Sequence, residues 1–266
     1  MNTQTDPLTA SLPAEVPLPN APLVRVIAQV RFPPVLSIEK RDFVAPFQEA
    51  IRARYPILRA EQTRGVLLGA QGSVPMPPAV TWRFTGLDEK WRVSLATDFA
   101  AIETTAYESR SDLLARLEEV IRALEAHVAP KMVDRLGVRY IDRIKGAAVN
   151  NIGRLVRPEI LGVAGTAAAQ HASHALSEAV FSLPDQRSQM RARWGILPPN
   201  ATVDPSAIEP IEEPSWILDL DIFSSESRPF ESSAILSDAR VYAERTYSFF
   251  RWVVTDEFLR FFGGNV

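Results

Sequence analysis

The chain has 266 residues, of which 46% are hydrophobic and 23% are charged, with a formal net charge of -3. This composition is typical of a globular protein and excludes collagen-like, low-complexity and wholly disordered chains. The chain contains no cysteine, which excludes a disulfide scaffold, a cysteine-based zinc site, an iron–sulfur cluster and a cysteine nucleophile.

The first 22 residues contain five prolines and little hydrophobic periodicity, so we expect a flexible, extended leader. This segment lacks the basic and apolar regions of a signal peptide, and no window holds about 20 uninterrupted apolar residues, so we expect a cytoplasmic location and no membrane partner. Beyond the leader, apolar residues alternate with polar ones in strands or recur at helical spacing. The predicted strands are 24–32, 57–68, 80–85, 91–95, 99–107, 136–144, 175–183, 190–196 and 216–223, and the predicted helices are 43–55, 113–128 and 235–253.

Capping signals and loops delimit these elements. Ser109 to Asp112 resembles a capping box, and Thr255-Asp256-Glu257 predicts the start of a short last helix that ends at Gly263-Gly264. Two loops are predicted. The first is the glycine- and proline-rich stretch 69–78, and the second is 198–214, which has five prolines and four acidic residues. Long insertions of this kind in compact domains tend to be functional or mobile.

The order of elements predicts the fold class. Strands 80–107 are followed by helix 111–128, and strands 175–223 are followed by helix 235–253, so both stretches have a β-β-β-α order. We therefore predict an α+β fold in which antiparallel sheet is covered by helices, in one globular domain over residues 23–266. Two related units would divide that domain into halves 23–145 and 146–266, although no residue-level repeat supports a duplication.

Five segments are distinctive in composition and order: Pro22–Pro34, Trp82–Phe84, Trp91–Leu95, Phe99 with Glu103–Tyr107, and Arg135–Ile144. In this order they resemble a sporadically distributed family of uncharacterised bacterial proteins of about this length, and the resemblance covers nearly the whole chain after the leader. It implies a compact protein of patchy occurrence, as expected of accessory genes in mobile defence or toxin–antitoxin loci. It carries no catalytic residue over to this chain.

Motifs that would indicate catalysis are absent. The histidines are His127, His171 and His174, and no HExxH motif accompanies them, so we predict no metal site. Neither G-x-S-x-G nor a phosphate-binding glycine loop occurs, so we predict no catalytic residue and no cofactor. Asp219 and Asp221 lie on one face of a predicted strand, where they could hold Mg²⁺ or divide acid and base roles. The alternative is that both aspartates lie on a solvated outer face.

Arginines mark a second candidate site. Arg25 and Arg31 lie on one predicted strand, and Arg139 and Arg143 lie on another, so pairing of these strands would form a basic patch for an anionic ligand or nucleic acid. The alternative is a solvated face on which acidic residues pair with the arginines. The acidic net charge favours this alternative and argues against a nucleic-acid partner.

The last long helix carries aromatic residues around most of its circumference, which indicates burial or a partner. Tyr247, Phe250 and Trp252 are therefore candidate interaction residues. We expect a non-catalytic binding or interaction protein whose partner is another protein or a second copy of itself. A ligand sensor or enzyme with a pocket between sheet and helices, lined by Arg139, Arg143, Asp219 or Asp221, and a nucleic-acid-associated protein are the alternatives.

Overall fold

A computed structural model describes residues 6–63, 66–69, 72–75 and 79–266, with the backbone alone described for 63, 66–69 and 72–75. It has a large antiparallel sheet of nine strands together with helices, so the predicted α+β class is confirmed. The strands are β1 Leu23–Arg31, β2 Ile57–Thr63, β3 Val66–Gly69, β4 Gly72–Pro75, β5 Ala79–Thr85, β6 Trp91–Ala96, β7 Phe99–Thr104, β8 Met132–Val133, β9 Arg135–Lys145, β10 Ala175–Ser182, β11 Ser188–Leu197, β12 Ser215–Ser224 and β13 Arg228–Pro229. The helices are α1 Arg41–Ile51, α2 Arg110–His127, α3 Ala147–Asn150, α4 Ile152–Leu155, α5 Pro158–Leu161, α6 Ser232–Val253 and α7 Asp256–Phe261, and short 3-10 helices span Leu36–Glu39, Gly162–Gly165 and Ala167–His171.

Parts of three sequence predictions lie outside the described residues. Residues 1–5 belong to the predicted leader, and residues 64–65, 70–71 and 76–78 belong to the second predicted strand and the first predicted loop. Between these gaps, β3 and β4 pair as an antiparallel hairpin within the stretch for which the sequence predicted the end of a strand followed by a loop.

The chain divides into two compact units. One contains the residues up to 26 together with 138–224 and 240–266, and the other contains 27–137 and 225–239. Three of the four boundaries fall inside β1, β9 and α6, so each of these three elements contributes residues to both units, and the fourth follows β12.

The unit built on residues 27–137 has the strand order β1-β7-β6-β5-β2, with α1 packed against α2. Phe47 of α1 and Phe84 of β5 are fully buried with their ring centroids 5.6 Å apart, and the Trp82 indole N–H donates to the buried carbonyl of Ile38 at 2.7 Å. The predicted cap of α2 is confirmed, because the Ser109 hydroxyl accepts a hydrogen bond from the Asp112 N–H.

The unit built on residues 138–224 has the strand order β10-β11-β12-β9-β1. Trp216, Leu218 and Leu220 alternate along β12 with Ile217 and Asp219, and all five are buried, so the strand is covered on both faces. One face packs against α6, where the rings of Phe181 and Phe249 lie 5.4 Å apart and the hydroxyls of Ser188 and Tyr242 lie 2.7 Å apart. The other face is covered by the chain between β11 and β12.

Residues of the leader contact α6 and the C-terminus of the same unit. The Val16 N–H donates to the Tyr247 hydroxyl at 2.9 Å, that hydroxyl donates to the carbonyl of Ala14, and the Asn20 N–H donates to the carbonyl of Phe262. The predicted start of the last helix is also confirmed, since the Thr255 hydroxyl accepts from the Phe258 N–H. Among the described residues, no helix combines the length and the apolarity that a membrane span requires.

Candidate functional site

Residues 198–214, which we call the strap, lie against the sheet face that bears Asp219. The strap is anchored to the sheet through arginine side chains, because carbonyl groups are the acceptors that an extended loop leaves available. Arg25 donates to the carbonyl of Ala207 at 2.9 Å, Arg143 to that of Glu209 at 2.6 Å and Arg193 to that of Val203 at 3.4 Å. Ala207 and Ile208 are buried, so the strap also supplies apolar cover.

An arginine–aspartate cluster lies beneath the strap. Arg139 of β9 makes a bidentate pair with Asp219 of β12, at 2.7 Å from Nε to Oδ1 and 2.9 Å from Nη2 to Oδ2. Its remaining Nη1 donates to Asp204 of the strap at 2.7 Å. Arg193 of β11 contacts Asp219 from the other side, at 3.0 and 2.5 Å, so one carboxylate accepts from two guanidinium groups. Such bidentate pairs fix geometry as well as charge.

The β11–β12 register explains half of this cluster. Arg193 lies directly opposite Asp219, and Arg191 lies directly opposite Asp221, so opposite charges face each other across neighbouring strands. Asp219 is 1% exposed and Asp221 is 5% exposed. The alternative that these aspartates lie on a solvated face is therefore wrong: the strap and the arginines cover them.

Burial and pairing act in opposite directions on the pKa values of the cluster. Burial acts to lower the pKa of Arg139, but the hydrogen bonds and charges of Asp219 and Asp204 outweigh it and hold that pKa above its usual range. Burial acts to raise the pKa of Asp204, but hydrogen bonds from Ser206 and Arg139 and the charge of Arg139 lower it to about 2. The pair is therefore ionised across the physiological pH range.

Two buried ionisable side chains on β9 lack some or all of their hydrogen-bond partners among the described residues. Arg143 uses only Nη1, towards the strap, and its buried Nε and Nη2 have no hydrogen-bond partner in the described part of the chain. Burial lowers the pKa of Arg143. The preceding residue, Asp142, makes no side-chain hydrogen bond or ion pair with the described residues, and burial raises the pKa of Asp142 to about 7.

The structure therefore gathers some predicted site residues and not others. Arg25, Arg139 and Arg143 all donate to the strap, and Asp219 accepts from Arg139. Arg31 belongs to the other unit, where it pairs with Asp98. Within 6–63, 66–69, 72–75 and 79–266, no three histidine, cysteine, aspartate or glutamate side chains form a group that could hold a metal ion.

The aromatic candidates on α6 make contacts within their own unit. The Phe250 ring lies 6.2 Å from that of Tyr247 and 5.6 Å from that of Phe258, while Trp252 lies 5.3 Å from Phe249 and under the guanidinium of Arg157 at 5.8 Å. Because Tyr247 also binds the leader, intramolecular packing accounts for apolar residues around the circumference of this helix.

Strand β10 is a feature that the sequence reasoning did not single out. It ends the strand order, and in the described residues its hydrogen-bonded neighbour in the sheet is β11. It is eight residues long and contains no proline, glycine or lysine and one charged residue, Glu178. Leu176 is 41% exposed and Val180 is 56% exposed. Natural edge strands are commonly protected by short length, charged side chains (lysine above all), proline or a bulge, and of these devices β10 has only the charge of Glu178.

The backbone of β10 presents alternate residues outwards. The Leu183 N–H donates to the carbonyl of Ser188 at 2.8 Å, and these two residues continue the register between β10 and β11. Because hydrogen-bonded pairs alternate in an antiparallel ladder, odd-numbered residues bond to β11. The N–H and carbonyl groups of the even-numbered residues face outwards, and these residues are Leu176, Glu178, Val180 and Ser182.

A cavity of about 200 Å³ adjoins the start of β10. Its walls come from Leu161 and Val163, from Leu176 and Ser177 of β10, and from Trp194 of β11. The sequence predicted the strand at 175–183, but edge position depends on strand order, which alternation along one strand does not encode. Comparison of the sequence with protein-family models and with curated proteins gives no match.

Proposed function

We propose that this protein is a non-catalytic interaction protein that binds an extended segment of a partner along β10. The observation that carries this proposal is the exposed, weakly protected edge of that strand. In β-strand addition, main-chain hydrogen bonds supply affinity and side-chain pockets beside the edge supply specificity. β10 offers four outward-facing residues for hydrogen bonding, and the adjoining cavity could take one partner side chain.

The cluster beneath the strap supports a binding role rather than catalysis. Its aspartates accept hydrogen bonds from arginines and its arginines donate to aspartates or to strap carbonyls, so these charges are engaged within the unit. A general acid or base needs a pKa near the operating pH and access to substrate. The pKa of Asp204 is about 2, far below neutral pH, and Asp219 is buried.

The experiment compares Val180→Pro with Val180→Thr. Proline removes the outward N–H of residue 180, which does not bond to β11, while threonine keeps this N–H and the branched shape. Each protein is immobilised and exposed to lysate of its native host. A partner that wild type and Val180→Thr retain and Val180→Pro loses supports the proposal. Equal retention by all three proteins, with circular dichroism showing equal folding, would contradict it.

The cavity beside β10 supports the second candidate, a small-ligand sensor. Pockets for drug-sized ligands usually measure about 300–1,000 Å³, so this cavity would take only a small apolar group. Mass spectrometry of the native protein for a co-purified small molecule tests this candidate, and the variant Trp194→Ala should release that molecule. A nucleic-acid role through the arginines is the weakest candidate, because Arg25, Arg139 and Arg143 are engaged by the strap.

We further propose a cytoplasmic location and a place in a mobile defence or toxin–antitoxin locus. The resemblance to an uncharacterised bacterial family supports the second point. The genes beside this one in its genome test the second point, because a defence locus would contain recognisable toxin, nuclease or phage-sensing genes.

A further inference from the structure

The edge strand β10 is complementary to itself. Its outward-facing residues are four consecutive even positions, from Leu176 to Ser182, and the strand contains a single charged side chain. We propose that the partner strand is β10 of a second copy of this chain, antiparallel and centred on Ala179. This inference rests on the proposed function, since it identifies the occupant of the same edge.

Symmetry restricts the register. When two identical antiparallel strands extend one sheet about a two-fold axis, the axis is normal to the sheet, and each residue faces a residue of equal parity. Centring on Ala179 places Glu178 opposite Val180 of the second copy and Leu176 opposite Ser182 of that copy. All four outward-facing residues then form hydrogen-bonded pairs, which gives about eight main-chain hydrogen bonds. Centring on Glu178 instead would place the two carboxylates directly opposite each other, which is unfavourable.

Charge complementarity favours the same register. Val180 lies opposite Arg191 of β11, and Glu178 of the second copy lies on the other side of Val180. The glutamate and Arg191 are then two strand spacings apart, about 9.5 Å between Cα atoms, with both side chains on one face. A glutamate and an arginine together can span this distance over the smaller valine. Arg191 has a buried Nε without a hydrogen-bond partner in the described chain and an exposed fraction of 38%.

The size of the interface predicts its strength. An eight-residue strand pair buries less surface than the roughly 1,200–2,000 Å² of stable complexes, so a reversible dimer is expected. The weak protection of β10, which has Glu178 as its one charged residue, has a physical reason in this dimer, because pairing of the two copies covers both edges.

Cysteine crosslinking tests the register in a chain that has no native cysteine. In the proposed dimer the two Ala179 residues form a non-hydrogen-bonded pair, with Cα atoms about 4.5 Å apart, within the range that a disulfide accepts. Ala179→Cys should therefore form a covalent dimer under mild oxidation. Ser177→Cys is the matched control, because the two Ser177 residues lie about 14 Å apart in this register.

We expect Ala179→Cys to crosslink at least about tenfold faster than Ser177→Cys, and Val180→Pro in the Ala179→Cys background to abolish the difference. Light scattering of the full chain without introduced cysteines should show a mass that rises towards twice 29.5 kDa with concentration. Equal crosslinking of the two cysteine variants, or a constant monomer mass up to high micromolar concentration, would overturn the dimer. If no dimer forms but the Val180→Pro variant loses retention of a host protein that wild type binds, only the identity of the strand bound to β10 is wrong. If Val180→Pro changes neither retention nor mass, the proposed function fails as well.

Discussion

Asp142 should make the protein less stable as the pH rises from 4 to 7. Its carboxyl is buried and makes no hydrogen bond or ion pair with the described residues, and burial raises its pKa from 3.8 to about 7. Between these two pH values the unfolded chain loses this proton while the folded chain keeps it. The unfolded state then binds fewer protons, so the free energy of unfolding falls with rising pH and levels off above pH 7.

The size of this pH dependence follows from the pKa shift of Asp142. Each pKa unit corresponds to 1.36 kcal/mol, so a shift of about three units corresponds to about 4 kcal/mol between pH 4 and pH 7. Asp142→Asn keeps the shape of the side chain and removes the ionisation. We expect the variant to match wild type near pH 4 and to exceed its free energy of unfolding by about 4 kcal/mol at pH 8.

The assay is urea unfolding of wild type and Asp142→Asn at pH 4, 5.5, 7 and 8, followed by circular dichroism. Asp88→Asn is the matched control, because Asp88 is an exposed carboxylate in the β5–β6 turn and asparagine keeps its acceptor for the turn N–H. The difference between Asp142→Asn and wild type isolates the contribution of Asp142 from other titrating groups. A constant difference across the four pH values would refute the reasoning.

Three further predictions concern the strap and the sheet beneath it. Asp219→Ala removes the buried carboxylate that pairs with two largely buried arginines, of which Arg139 keeps only Asp204, and should lower the free energy of unfolding by about 3–5 kcal/mol. Glu118→Ala breaks an exposed helical pair and should cost under about 0.5 kcal/mol in the same urea titration. Gly195→Ala should destabilise the protein by more than about 1 kcal/mol, because φ at Gly195 is +144° and a Cβ there would lie 1.9 Å from a carbonyl oxygen of β10. In the control Gly153→Ala the added Cβ meets no atom within 4 Å, so this variant should be neutral or stabilising. Equal melting temperatures for the two variants would contradict the expected strain at Gly195. Asp204→Ala should speed hydrogen exchange of the strap amides by about tenfold and leave β12 protected. Because the pKa of Asp204 is about 2, the strap of wild type should loosen in the same way as the pH falls from 4 towards 2. Unchanged exchange of the strap amides would count against the anchoring role of Asp204.

Local patterns predicted the elements well where local physics decides them. Ser109 and Thr255 were identifiable as caps because an N-cap side chain bonds to a backbone N–H only three residues later. The alternation along β12 likewise predicted a strand with distinct faces. It did not predict that both faces are covered, since Asp219 and Asp221 on a strand are typical of exposure to water.

The cluster beneath the strap could not be predicted for the opposite reason. Arg139 and Asp219 are 80 residues apart, and Arg139 and Asp204 are 65 residues apart. Pairing over such separations depends on strand order and on where a proline-rich loop folds back, and neither follows from local periodicity. The sequence identified arginines and aspartates as candidate site residues, and the fold brings them together so that their charges neutralise one another.

The edge and the strap are connected through Arg193, and this connection shows why Glu178 can bind a second copy. Arg193 bonds to the buried Asp219 at 2.5 Å, whereas the Glu178 carboxylate lies 4.0 Å from Arg193 and is 52% exposed. Glu178 can therefore turn towards another chain without leaving a buried charge unpaired. We expect Glu178→Gln to change the free energy of unfolding of the monomer by less than about 0.5 kcal/mol.

The same variant should weaken the dimer. Loss of one partly exposed ion pair across each half of the interface corresponds to a rise of about three- to tenfold in the dissociation constant, measured by analytical ultracentrifugation. Glu118→Gln on the exposed face of α2 is the control and should leave dissociation unchanged. If Glu178→Gln destabilised the monomer as strongly as Asp219→Ala, Glu178 would belong to the buried cluster, and the charge argument for the Ala179-centred register would be lost.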